Sequence, residues 1–148
     1  MAVTNRADLI VRTHQVLKRH FKPVHSPKRS VFEHMLYACC LENSGHDAAD
    51  EAFSRLRDQY IDWNEIRVST TLELTEVIKC LNDPEEAATR IKRVLQGVFE
   101  AIYSFELDGL TKENIGQAAK KIRNFDGTTP FVVAYVIQQG LAGHAIPV

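Results

Sequence analysis

The stretch from Arg123 to Ile137 constrains the fold of this 148-residue chain more than any other. It reads helix, tight glycine turn, helix. Ile115, Ala118, Ala119 and Ile122 recur at helical spacing over Lys112 to Arg123. Gly127 supplies the positive φ that stops such a helix. Thr128 or Thr129 caps the next one, and Pro130 sits in its first turn, where the missing N–H costs nothing. Phe131 to Ile137 is then an apolar second helix, closed by Gly140. A corner of this kind leaves backbone N–H groups at a helix N-terminus, a setting that suits a phosphate oxygen. It also serves as a plain structural corner in any helical bundle, and both readings stand at this point.

The same helical period runs through the rest of the chain. Leu9, Ile10, Val16, Leu17 and Phe21 line one side of a helix from Arg6 to Phe21, which Lys22-Pro23-Val24-His25-Ser26-Pro27 breaks. Ser26-Pro27 is expected to start the next helix, Arg29 to about Glu42. That helix is apolar on most sides and therefore central. Asn43-Ser44-Gly45 ends it. A helix from His46 to Tyr60 follows, burying Ala49, Phe53, Leu56 and Tyr60. Ile61 to Arg67 reads as a loop anchored by Trp63, and Ser69 or Thr70 caps a short helix to about Leu81. Asn82-Asp83-Pro84-Glu85-Glu86 starts a helix that runs to about Phe105 with Ala88, Ile91, Leu95, Val98, Phe99 and Ile102 facing inward. Thr111 is expected to cap the first hairpin helix. No strand pattern competes, so the expected fold class is all-α: a compact domain of about seven helices ending in a helix-hairpin-helix.

Charge is balanced overall, with 18 Lys and Arg against 19 Asp and Glu, but it is unevenly placed. Six Lys/Arg and three histidines occupy Arg12 to Arg29 with no acid among them. Lys120, Lys121 and Arg123, with Lys112 before them, gather ahead of the glycine turn. Clusters of this kind either neutralise phosphates or form solvated helix faces. His46 and Asp50 stand one helical turn apart, where a shared metal or dipole compensation at a helix start are the two readings. Tyr37 and Leu41 either line a pocket or fill the core. Three cysteines, two of them the adjacent Cys39 and Cys40, make no disulfide framework and read as reduced core thiols of a cytoplasmic protein. No apolar run approaches a membrane span, and the N-terminus carries no secretory leader.

Phe125-Asp126-Gly127-Thr128-Thr129-Pro130-Phe131-Val132-Val133, its distance to the chain end, and the final Gly143-His144-Ala145-Ile146-Pro147-Val148 together resemble the helix-hairpin-helix (HhH-GPD) DNA glycosylase superfamily, nearest its endonuclease III branch. The family pattern there is Leu-Pro-Gly-Val-Gly-x-Lys-Thr-Ala, an apolar helix, and a run ending in Ala-Val-Asp. Helix order and lengths are similar over roughly residues 28–148. The resemblance implies a single domain over residues 1–148. Residues 1–25 would form an extra helix and linker, residues 26–148 the six-helix, hairpin-bearing half, and the second half of the family fold would be missing.

Double-stranded DNA, damaged or not, is the partner so implied. Gly127, Thr128, Thr129, Lys120, Lys121 and Arg123 would hold its backbone. His34 and Glu42 flank the helix where relatives place residues that probe the opened base stack, and Cys40 lies near a position often polar in endonuclease III relatives. Two departures bear on chemistry. The hairpin's second glycine is Thr129, and the lysine that forms a Schiff base in bifunctional members is Phe131, which offers no amine. The family's catalytic aspartate would directly follow Val148. The expectation is DNA binding without glycosylase or lyase turnover, or a monofunctional glycosylase if a longer natural chain places aspartate next. No cofactor is expected, since the four-cysteine iron–sulfur spacing of many relatives is absent. The alternative is a non-enzymatic helical interaction module that has lost DNA. Leu9, Ile10, Val132 and Val136 are expected on the surface that would meet the second half; their exposure would favour a homodimer.

Overall fold

Helical period and capping residues together set the architecture of the computed structural model, which describes residues 5–23 and 25–148. Among the described residues eight α-helices run in chain order: α1 Arg6–His20, α2 Val31–Leu41, α3 His46–Gln59, α4 Trp63–Val68, α5 Thr71–Val77, α6 Pro84–Ile102, α7 Ile115–Asn124 and α8 Pro130–Tyr135. A 3₁₀ turn, Asp108–Lys112, precedes α7, and a π-helical turn, Val136–Gly140, prolongs α8. No strand occurs among the described residues, and the fold is all-α. The helix beyond the expected seven is α4. Its stretch reads as a loop in sequence, yet Asp62 accepts the Glu65 N–H and starts one short turn of helix. Trp63 does dock on the core there, with its ring against Phe32 and Phe53.

Helix α2 is the centre. All its residues except Glu33 are buried, and it packs against α3, α6 and α8. It starts later than Ser26-Pro27 would have it: Ser30 caps it, and a reciprocal capping box links Ser30 and Glu33. Ser26 and Pro27 lie outside any helix instead, and Val24 in the expected break lies outside the described residues. Cys39 and Cys40 are fully buried in α2, and burial pushes the Cys39 thiol up to about 12. All three cysteines are free.

Helix α6 begins as expected, with Asp83 as cap and Pro84 in the first turn, and buries Ala88, Ile91, Leu95 and Val98. Ile102 continues the stripe but is exposed, because the chain reverses at Tyr103 in the left-handed region (φ 53°). Asn114, not Thr111, caps α7; the Thr111 hydroxyl instead donates back to the Asp108 carbonyl within the 3₁₀ turn. Val132 and Val136, expected at the surface, are fully buried because α8 and its π turn press against α2. Leu9 and Ile10 are exposed, and α1 buries none of its residues. No helix among the described residues is long and apolar enough to cross a membrane.

Candidate nucleic-acid interface

The hairpin is seated on α6 by two glycines. Gly127 has φ +82°, and a Cβ there would stand 2.6 Å from Arg93 Cβ and 2.8 Å from the Val94 nitrogen. Gly97 on α6 returns the contact: its Cβ would meet the Asp126 nitrogen at 2.7 Å. Between them Arg93 Nη2 donates to Asp126 Oδ1 at 2.8 Å, which holds that exposed carboxyl below the usual range. The turn after α7 therefore has a fixed position.

Its hydroxyls face inward. Thr128 Oγ1 donates to the Phe125 carbonyl at 2.9 Å, with the Ile122 carbonyl at 3.2 Å. Thr129 Oγ1 accepts the Val132 N–H at 3.2 Å, the cap expected of it, and donates to Glu42 Oε2 at 2.8 Å. Glu42 lies beside the largely buried Arg90, whose Nε is 3.3 Å from Oε2 without hydrogen-bond alignment. Arg90 reaches the Cys39 carbonyl (3.0 Å) and Glu86 (3.5 Å) as well. A carboxylate of the protein thus already stands at the start of α8, against the positive end of the helix.

The three cations do not act as a set. Lys121 pairs with Glu113 at 2.6 Å. Lys120 and Arg123 are exposed and carry no ion pair among the described residues. Arg123 borders an open groove of about 310 Å³ that runs along Thr128, Thr129, Pro130, Val133 and Ala134.

A second, adjacent side of α8 faces a cleft of about 700 Å³, lined among others by Phe131, Tyr135, Tyr37, Arg29, His46 and Asp50. Phe131 and Tyr135 stack at 6.3 Å and 26°. The Arg29 guanidinium lies 4.0 Å over the Tyr37 ring. Tyr37 donates to Asp50 Oδ1 at 2.6 Å, and His46 Nδ1 is 3.4 Å from the same hydroxyl. Burial, and then the bond to Asp50, pushes the Tyr37 hydroxyl up, and burial raises Tyr135. His46 and Asp50 thus flank a phenol. No group of three or more His, Cys, Asp or Glu able to hold a metal occurs among the described residues. Tyr37 and Leu41 line this cleft, whereas Cys40 and His34 do not, being buried within the core. Sequence spacing placed Tyr37, His46 and Asp50 on neighbouring helices. It carried no signal that Arg29 and Tyr135 join them across the chain.

No protein-family model and no curated protein matches this chain.

Proposed function

We propose that the chain is a duplex-DNA-binding domain of endonuclease III type, which holds the sugar–phosphate backbone at the α7–α8 hairpin and takes an unstacked base into the neighbouring cleft. One observation carries the reading: α8 has the glycine turn and Arg123 at one side of its start, and the stacked Phe131–Tyr135 pair on the other. A base turned out of the duplex needs an aromatic platform of that kind beside a backbone contact. Of the residues assigned to backbone binding, Lys120 and Arg123 supply the charge, while Gly127, Thr128 and Thr129 set the turn that presents them. No lysine lines the cleft, and the aromatic ring of Phe131 stands where the resemblance would place the imine-forming amine. The proposed activity is therefore binding, not strand cleavage through an imine.

A second reading, a helical module that binds protein and not DNA, is favoured by Glu42. Its carboxylate occupies the helix end that a phosphate would use. Titration of short duplexes with and without an abasic-site analogue, over a salt series, separates the two. Tighter, salt-sensitive binding to the damaged duplex supports the first reading, and its loss in Phe131→Ala with Lys120 and Arg123 intact assigns the preference to the cleft. No binding at low salt sinks the DNA reading and leaves the second.

A further inference from the structure

Helix α1 presents an apolar stripe with nothing against it among the described residues. Leu9 (57%), Ile10 (63%), Val16 (51%), Leu17 (48%) and Phe21 (68%) are all exposed. Leu9, Ile10, Val16 and Leu17 fall on one side of the helix at its 3.6-residue period, and Phe21 follows at its C-terminal cap. Arg12, Lys18 and Arg19 border them, and Asp8 is the helix's only acid. On the body, α4 and α5 enclose an open groove of about 720 Å³ with the reverse character. Val68 (65% exposed) and Leu72 (78%) stand uncovered in it beside Tyr60 and Val77. Glu65, Glu73 and Glu76 form its rim, and no Lys or Arg lines it. Glu65 and Glu73 are fixed in place by the Ile61 and Thr70 N–H groups, while Glu76 shares its charge with the exposed Lys79.

We propose that α1 of one copy docks its apolar stripe into the α4–α5 groove of a second copy, reciprocally, so that two chains form a symmetric dimer. The α1 stripe and the groove both expose apolar side chains, and their flanking charges are opposite in sign. A second copy is the occupant because α1 buries nothing on its own body. Its tether is also held at the cleft, where Ser26 Oγ donates to Gln139 Oε1 at 3.2 Å and Arg29 covers Tyr37. A two-fold arrangement satisfies both grooves and both helices at once. The proposal is independent of DNA binding.

Sedimentation velocity of the full chain without DNA, from low to high micromolar concentration, tests it. The expected species has the mass of two chains. Leu9→Glu/Leu17→Glu in α1 and Leu72→Glu in the groove should each weaken association at least tenfold and yield one-chain mass. All three sites are exposed, so the urea midpoints of the variants should match the parent's. Mixing the two variants should give a heterodimer held by one of the two contacts and weaker than the parent dimer, since α1 of the groove variant can still enter the intact groove of the α1 variant. A monomer at every concentration overturns the proposal, as does a dimer that survives Leu72→Glu. Loss of the dimer in the α1 variant alone would mean that α1 covers some other surface, and would equally overturn it.

Discussion

At residue scale, two polar groups, one buried and one half-buried, make the molecule's stability depend on its surroundings. His34 is 5% exposed, and its Nδ1 has no hydrogen-bond partner. Burial, then the charge of Arg29, holds its imidazole below the ordinary value of 6.5, against smaller opposing effects of Glu33 and Asp108. Between the lowered native value and 6.5 the unfolded chain takes up a proton that the native state refuses. This histidine's contribution is therefore level above 6.5 and falls as pH drops through that window. Urea midpoints at stepped pH should show a steeper acid decline for the parent than for His34→Leu; parallel curves would remove His34 as the cause. Glu42 is the second group. Glu42→Gln keeps an acceptor for Thr129 but leaves Arg90 only the exposed Glu86 as a carboxylate partner. A loss of about 1–3 kcal/mol is expected in urea unfolding. If DNA meets the start of α8, the same change should tighten duplex binding by roughly 0.3–1 kcal/mol, through removal of a competing negative charge. Unchanged or weaker binding would place the duplex elsewhere.

At the scale of elements, the hairpin is held more tightly than a corner in a helical bundle needs. Gly127→Ala combines a left-handed backbone, about 1–2 kcal/mol, with a Cβ forced onto α6, about 1–3 kcal/mol. The expected loss is therefore roughly 2–5 kcal/mol, read from urea unfolding; a loss below 1 kcal/mol would mean that the turn readjusts freely. This glycine was legible in the sequence, as were Asp83-Pro84 and the all-round apolar α2, because each depends on residues within a few positions. One start signal went unread: Ser26-Pro27 is the start expected from sequence, whereas the reciprocal capping box of Ser30 and Glu33, further along the chain, defines it. The short α4 carries too few turns for a period to emerge. Least legible were contacts between distant positions. The bond between Glu42 and Thr129 spans 87 residues, and the cleft depends on how α8 lies across α2 and α3. Val132 and Val136 were misplaced for the same reason: their burial is set by α2, not by their neighbours in sequence.

For the whole molecule, near-neutral charge hides two separate basic regions, and they have different expected roles. Binding to duplex DNA loses affinity with salt by a slope of about −0.9 for each phosphate neutralised. At the hairpin, Lys120 and Arg123 are without ion pairs among the described residues, whereas Lys121 is held by Glu113. Lys120→Ala/Arg123→Ala should therefore flatten the slope by about 2, while Lys121→Ala should change it little. The cations of α1 border its apolar stripe, and in the dimer they meet the glutamates of the partner's groove. Arg12→Ala/Lys18→Ala/Arg19→Ala should accordingly weaken self-association and leave the salt slope for DNA nearly unchanged. Both variants are compared on one duplex by fluorescence anisotropy over a salt series. If the α1 variant takes the larger share of the slope, the duplex runs along α1. The hairpin is then a structural corner whose positive end Glu42 already satisfies, and the basic N-terminal helix is the nucleic-acid contact.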